Sequence, residues 1–184
     1  MRYKMILLAV AMLSLGACSS DDSYTAYSRY KASFTYDRVM TTTPLKNALT
    51  GPGEFCTITL TTQKRLVFQS LTLSQEVDVT ASAVYQRFTC LGGFIVGMAN
   101  VPEMNADWLG LVCFDLVCSN CYHNDAIKPN LTLQEGGFAY CSRCKRKYNL
   151  NGQGIVVDGE TGRPLERYHI TYDQMNMNRM VISN

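Results

Sequence analysis

Residues 108–121 read WLGLVCFDLVCSNC, an apolar run of strand length that ends in two cysteines separated by two residues. A short run that is apolar almost throughout is typical of a β-strand buried on both faces. The pair Cys118 and Cys121 is followed, after a spacer of nineteen residues, by a second pair of the same spacing, Cys141 and Cys144. The sequence therefore predicts a buried strand that leads into two matched cysteine turns.

The two cysteine pairs have the spacing of a four-thiolate zinc site. Two residues between cysteines allow one tight turn to direct both sulfurs at one ion, and two such turns complete a tetrahedron. A tetrahedron without an open position is structural rather than catalytic. We therefore predict that zinc is the cofactor and that its ligands are Cys118, Cys121, Cys141 and Cys144.

Other chemistry is open to the same four cysteines. In an oxidising compartment they can form disulfides, either within each pair or between the pairs. Four thiolates also suit iron, held as one ion or as a cluster. Disulfides and iron therefore remain alternatives to the predicted zinc.

Away from the cysteines, short strands follow one another along most of the chain. Thr57–Thr61 alternates with period two, and Glu76–Phe88 is rich in residues that favour strands. No helical segment of convincing length appears after residue 17, and glycine, proline and polar turns separate the strands. Regularly spaced short strands favour an all-β sandwich or barrel. The other predicted strands are Leu66–Phe68, Phe94–Val96, Trp108–Val117, Ile155–Val157, Leu165–Tyr172 and Met180–Ile182.

The first residues have the order of a secretory signal peptide. Arg2 and Lys4 precede an apolar run over Met5–Leu15, and small residues follow it up to Cys18. The run is too short to span a bilayer, which takes about 20 apolar residues. Residues 15–18 resemble the lipobox of bacterial lipoproteins. This resemblance implies that residues 1–17 are removed and that Cys18 is lipidated, so that the membrane is a partner.

Residues 18–30 are expected to form a polar tether, because a segment of this composition cannot bury enough apolar area to order itself. Ser20, Asp21 and Asp22 resemble the export signal of surface-exposed lipoproteins in Bacteroidetes. This implies an outer-membrane lipoprotein whose domain is exposed at the cell surface. The length of residues 31–184 suits one domain.

The charge of the chain argues against a nucleic-acid partner. Without Arg2 and Lys4 the sequence holds fifteen basic and fifteen acidic side chains. A neutral balance does not supply the electrostatic attraction on which nucleic-acid binding depends. No protein partner can be named from the sequence.

The second half of the chain resembles the Rieske proteins, and more narrowly small Rieske-like lipoproteins of Bacteroidetes. The likeness rests on the order of several short motifs over about ninety residues. These motifs are Gly92–Val96, Phe114-Asp115-x2-Cys118, Tyr140-Cys141-x2-Cys144, Tyr148-Asn149-Leu150-x-Gly152 and Gly159-x4-Pro164-Leu165-x2-Tyr168-x-Ile170. The resemblance implies a larger β-layer that carries a small metal-binding ribbon, over about residues 113–150.

The resemblance also identifies a departure from the family. A Rieske centre is a two-iron, two-sulfur cluster held by two cysteines and two histidines. Asn120 and Cys144 stand where those histidines belong, so we expect the fold to be kept and the redox centre replaced by zinc. A second alignment makes His123 a ligand with three cysteines. Electron transfer through a [2Fe-2S] cluster or iron is the alternative function.

The remaining cysteines and the missing motifs complete the prediction. Cys56 and Cys90 lie in or next to separate predicted strands and would suit a disulfide, whereas Cys113 is expected to be a core thiol. A disulfide from either Cys56 or Cys90 to Cys113 is an open alternative. The sequence contains no Ser-His-Asp pattern with supporting context, no phosphate-binding glycine loop and no zinc-protease helix. We therefore expect a structural or interaction module rather than an enzyme.

Overall fold

The computed structural model describes residues 27–79, 85–101, 110–173, 175 and 178–184. The predicted signal peptide and Cys18 lie outside the described residues. Strands make up most of the regular structure, so the fold class is all-β, as predicted. The strands are β1 Ser33–Tyr36, β2 Phe55–Leu60, β3 Arg65–Gln69, β4 Ser74–Asp78, β5 Tyr85–Thr89, β6 Phe94–Met98, β7 Leu111–Asp115, β8 Thr132–Gln134, β9 Phe138–Tyr140, β10 Lys147–Asn149, β11 Ile155–Asp158, β12 Arg167–Asp173 and β13 Arg179–Ser183.

Nine of these strands form one antiparallel sheet in the order β4-β3-β2-β6-β7-β12-β13-β1-β5. The sheet curls strongly. Tyr36 on β1 and Phe68 on β3 are separated by five strands in this order, yet their ring centroids are 4.9 Å apart. The inner face of the sheet therefore wraps around one core. That core contains Phe34, Tyr36, Phe68, Phe94 and Tyr168.

The middle strands of this sheet are buried on both faces. On β7, Cys113 points into the inner core, whereas Val112 and Phe114 point into a second core on the outer face. Every residue of β7 is buried. The prediction of a strand buried on both sides is therefore confirmed for Leu111–Asp115, and the predicted start at Trp108 lies outside the described residues.

A four-stranded sheet in the order β11-β10-β9-β8 covers the outer face of β6 and β7. Ala139 on β9, Tyr148 on β10 and Leu150 pack into the second core. The small sheet runs from Thr132 to Asp158. The ribbon that the resemblance implies, over about residues 113–150, remains a prediction.

Two short helices within the described residues were not predicted, α1 at Thr43–Thr50 and α2 at Ser119–Asp125. Pro44 stands in the first turn of α1, where its fixed φ suits a helix start. Leu45 and Leu49, one helical turn apart, enter the inner core. Both helices are too short for an apolar periodicity to stand out in the sequence.

The prediction of one strand over Glu76–Phe88 is wrong. The structure has β4 and β5 in its place, and these lie at opposite ends of the nine-stranded sheet. Residues 80–84 between them lie outside the described residues.

The last residues of the predicted tether belong to the folded domain. Tyr27 stacks on His169 of β12 with ring centroids 3.6 Å apart, and the Ser28 N–H donates to the carbonyl of Arg167 at 2.7 Å. Tyr30 contacts the rings of Tyr122 and His123 on α2. Long-range aromatic contacts thus order residues 27–30. Among the described residues, no helix has the length and hydropathy needed to cross a membrane.

Candidate metal centre

The four predicted cysteine ligands come from two places in the chain. Cys118 is the residue before α2, and Cys121 lies in the first turn of that helix. Cys141 follows β9 directly, and Cys144 lies in the turn that leads to β10. The large sheet supplies the first pair, because β7 ends three residues before Cys118. The small sheet supplies the second pair.

The structure brings the four sulfur atoms together, with all four Sγ atoms within 4.8 Å of one another. Cys118 Sγ lies 3.6 Å from Cys144 Sγ, and Cys121 Sγ lies 3.8 Å from Cys141 Sγ. The short contacts therefore run between the pairs. The four cysteines form one candidate metal site.

The second pair lies in a tight turn. The Lys145 N–H donates to the Cys141 carbonyl at 2.9 Å, and the Cys141 N–H donates to the Arg146 carbonyl at 3.0 Å. Lys145 has a φ of 61°, in the left-handed region that a non-glycine residue seldom adopts. This conformation reverses the chain directly after Cys144 and keeps its sulfur next to that of Cys141.

The first pair differs from the predicted loop, because a helical turn holds it. The Tyr122 N–H donates to the Cys118 carbonyl at 3.0 Å and so begins α2. The helix ends at Asp125, and the next residue, Ala126, caps it with a left-handed φ of 55°. Cys118 and Cys121 are therefore separated by one helical turn, and this also directs both sulfurs to the same side.

The buried hydroxyl of Tyr148 forms a hydrogen bond with the sulfur of Cys118. Its hydroxyl oxygen lies 3.1 Å from Cys118 Sγ and accepts a hydrogen bond from Asn120 Nδ2 at 2.9 Å. The phenol proton is therefore available to the sulfur. The side chain of Asn120 also accepts from the Arg163 N–H and donates to the Arg163 carbonyl, both at 2.9 Å. Asn120 thus ties α2 to the segment before β12 and does not face the sulfurs as a ligand.

Arg146 is the buried cation of the site. Its guanidinium donates to the carbonyl of Glu160 and to the Glu160 carboxylate, each at 2.8 Å. It also hydrogen-bonds to Cys144, and this contact raises the pKa of Arg146. A positive group at this position offsets the charge that gathered thiolates carry.

The thiols have different proton affinities. Burial raises the pKa values of Cys118 and Cys121. Burial also acts to raise the pKa of Cys144, but hydrogen bonds from the backbone and side chain of Arg146, followed by those from Cys141 and Cys118, outweigh it and lower that pKa to about 7. A metal ion binds the deprotonated form of cysteine. Arg146 therefore favours the thiolate form of Cys144.

A carboxylate fixes the chain just before the site. Asp115 Oδ1 accepts from the Val117 N–H at 2.9 Å, and Oδ2 accepts from the Leu91 N–H at 2.9 Å and the Tyr168 hydroxyl at 3.0 Å. Burial raises the pKa of Asp115, and these hydrogen bonds oppose the rise. Sequence reasoning missed this role, although an acid within an apolar run is a visible signal. The hydrogen bond from Tyr148 carried no such signal.

His123, the alternative ligand, lies on α2 but binds elsewhere. Its Nε2 is 2.8 Å from Glu166 Oε1, and its ring contacts Tyr30. It is not a member of the group of potential ligands that lie within 4.8 Å of one another. His169, the other histidine of the chain, stacks on Tyr27.

The structure does not form the disulfide expected between Cys56 and Cys90. All seven cysteines within the described residues are free. Cys56 points into the inner core from β2, where its thiol contacts the Thr57 carbonyl. Cys90 follows β5, packs against the edge of that core and lies near Asp115. Cys113 is fully buried, as expected of a core thiol.

The fold and the site together define an all-β protein with a candidate four-cysteine metal centre between two sheets. No protein-family model matches the chain, and no curated protein matches it.

Proposed function

We propose that this protein is a membrane-anchored lipoprotein in which the four cysteines hold one structural zinc ion. The observation that carries the proposal is the gathering of four free thiols, three of them buried, with their sulfurs within 4.8 Å of one another. Their role is to join the small sheet to the large one.

The size of the sulfur cluster supports a single ion. A tetrahedron with metal–sulfur distances of about 2.3 Å has sulfur–sulfur edges of about 3.8 Å. The contacts of 3.6 Å and 3.8 Å between the pairs agree with this edge. A disulfide would need about 2.05 Å between two sulfurs. The sulfur spacing therefore favours a metal over oxidised cysteines.

The same spacing argues against the two-iron cluster of a Rieske centre. Such a cluster binds its protein ligands on two separate irons, so two ligand pairs must stand apart by the width of the cluster. Here all four sulfurs lie within 4.8 Å of one another, so no two of them stand apart from the other two. A Rieske cluster also needs two histidines, and His123 is bound to Glu166 instead. One iron with four thiolates fits the spacing, and the experiment below distinguishes it from zinc.

The site offers no open position for chemistry. Four thiolates complete the coordination of zinc, and three of these cysteines are at most 4 % exposed. A structural or interaction module therefore agrees with the donor set better than an enzyme does.

The anchoring part of the proposal rests on residues 1–30. The leader and the lipobox-like residues 15–18 imply acylation of Cys18, and Ser20, Asp21 and Asp22 imply display on the outer membrane. The resemblance to Rieske proteins remains a prediction of the sequence.

Elemental analysis and a visible spectrum of the full-length protein, purified from its native host, test the metal. We expect about one zinc per chain and a colourless solution. A coloured preparation that contains iron would instead make electron transfer the function. Metal-free protein with few free thiols after denaturation would show that the cysteines form disulfides.

A further inference from the structure

We infer that Cys144 is the oxidation site of this metal centre, and that its attack on a peroxide leads to a disulfide with Cys118 and to release of the ion. This inference rests on the proposed zinc site and adds a regulated step to it. The ion is held while the four thiolates are intact and is lost when two of them are joined.

The first observation is that the four cysteines differ in access to solvent. Cys118 and Cys141 are 0 % exposed and Cys121 is 4 % exposed, whereas Cys144 is partly exposed. Its two neighbours in the chain, Arg143 and Lys145, are both exposed. Oxidation of cysteine requires that the oxidant reach a sulfur with thiolate character. Among the four ligands, only Cys144 offers that access.

The second observation is the nearest sulfur to Cys144, which is that of Cys118 at 3.6 Å. A disulfide needs about 2.05 Å, so the two sulfurs must approach by about 1.5 Å. Cys144 packs against the second core but is only partly buried, whereas Cys118 is fully buried and is held by Tyr148. We therefore expect Cys144 rather than Cys118 to move. The other short contact, between Cys121 and Cys141, is shielded from solvent.

The third observation is that the competing thiols are poorly suited to this reaction. Burial raises the pKa of Cys56 and that of Cys90 to about 12, and Cys113 is fully buried. These three residues are protonated at neutral pH, and a thiol is a much weaker nucleophile than a thiolate. The metal centre therefore reacts before them.

The reaction balances with hydrogen peroxide as the oxidant. The Cys144 thiolate attacks one peroxide oxygen, a sulfur–oxygen bond forms, the oxygen–oxygen bond breaks, and the leaving hydroxide takes up a proton as water. The Cys118 thiolate then attacks the resulting sulfenic acid. A disulfide forms and a second hydroxide leaves, again protonated to water. Two thiolates lose two electrons in total, and one peroxide becomes two waters.

The test uses the full-length, zinc-loaded protein in detergent, treated with one to a few equivalents of hydrogen peroxide. Released zinc is followed with a chromogenic chelator, and oxidised cysteines are located by alkylation and mass spectrometry. We expect zinc release in step with a Cys118–Cys144 disulfide. Cys56, Cys90 and Cys113 should stay reduced over the same time. Zinc release in which Cys144 remains reduced would overturn the inference.

Two variants sharpen the result. Cys144→His keeps a zinc ligand but removes the reactive sulfur, so we expect peroxide to release zinc at least about 10-fold more slowly than from the unchanged protein. Cys90→Ser removes the other partly exposed cysteine and should leave the rate unchanged. If Cys144→His does not bind zinc, the inference is tested by the order in which the cysteines of the unchanged protein are oxidised. Protein without zinc before peroxide is added contradicts the proposed function instead.

Discussion

The hydroxyl of Tyr148 lies 3.1 Å from the sulfur of Cys118 and joins the small sheet to the start of α2 across the metal centre. Tyr148 is fully buried, and its hydroxyl also receives the amide of Asn120. Residues that hydrogen-bond to a metal ligand in this way fix the orientation of that ligand, and their loss costs about 10–100-fold in metal affinity.

Tyr148→Phe is therefore expected to weaken metal binding about 10-fold while the fold is kept, because the ring still fills its place in the core. The lost hydrogen bond should lower the free energy of unfolding by about 1 kcal/mol. Competition with a chromogenic chelator measures the first effect, and denaturant unfolding measures the second. Tyr140→Phe, on the neighbouring strand, is the control. Equal metal affinity in Tyr148→Phe and the unchanged protein would show that the hydroxyl has no role at the site.

Replacing any one of Cys118, Cys121, Cys141 or Cys144 by serine should lower stability sharply, because structural zinc contributes on the order of 10 kcal/mol of apparent binding free energy in small domains. Cys113→Ser should cost about 1–3 kcal/mol, the penalty for a polar group in the core. Denaturant unfolding under reducing conditions compares them. With chelator present, the four ligand variants should become no less stable than the unchanged protein. A mild effect at all four positions would mean that the site does not hold the fold together.

Tyr168→Phe should make the stability of the protein more dependent on pH. It removes a donor from the buried carboxylate of Asp115, whose pKa is already raised by burial. A carboxyl group whose pKa is raised in the folded state stabilises the fold at pH values below its unfolded-state pKa of about 3.9. This stabilisation is lost as the pH rises through the folded-state pKa. Tyr168→Phe raises the folded-state pKa of Asp115 further. The loss of unfolding free energy in this variant should therefore reach about 2 kcal/mol at pH 7.5 and become smaller towards pH 4.

Unfolding free energies of both proteins at several pH values check this prediction, since titrations common to both cancel in the difference. Tyr172→Phe is the matched control. Its hydroxyl lies on the same strand but contacts the sulfur of Met40 at 3.4 Å. If the loss of unfolding free energy in Tyr168→Phe is the same at every pH, the ionisation of Asp115 is not its cause.

Cys18→Ala should abolish acylation and release the protein from membranes, because the leader is too short to serve as an anchor. Fractionation after a high-salt wash, together with mass spectrometry of the N-terminal peptide, measures both. Protein that stays with the membrane in this variant would contradict the lipoprotein proposal. In the unchanged protein, protease added to intact cells should remove the domain if it is displayed on the surface.

The sequence predicted the strands whose apolar pattern is visible within a few consecutive residues. The continuous apolar run identified β7, and the alternation over Thr57–Thr61 identified β2. The gathering of the four cysteines followed from their spacing alone. In contrast, nothing local separates β4 from β5, because the chain between them contains neither glycine nor proline. Their placement at opposite ends of the sheet depends on which distant strands they pair with.

The site was predicted in its ligands and missed in its supports. Tyr148, Asn120 and Asp115 act through contacts between residues that are far apart in the chain. The order of residues 27–30 likewise comes from contacts with α2 and β12, whose residues lie roughly 90 and 140 positions later in the chain. Composition alone therefore classified these four residues as tether.

The packing of Tyr27 against His169 limits how far the folded domain can lie from the membrane. If Cys18 is lipidated as proposed, only nine peptide units separate the lipid from Tyr27, and nine units extend to about 30 Å at most. The surface around β12 and α2 must then stay within that reach of the lipid headgroups. A large partner would have little clearance on this side and would have to approach the domain from a side turned away from the bilayer.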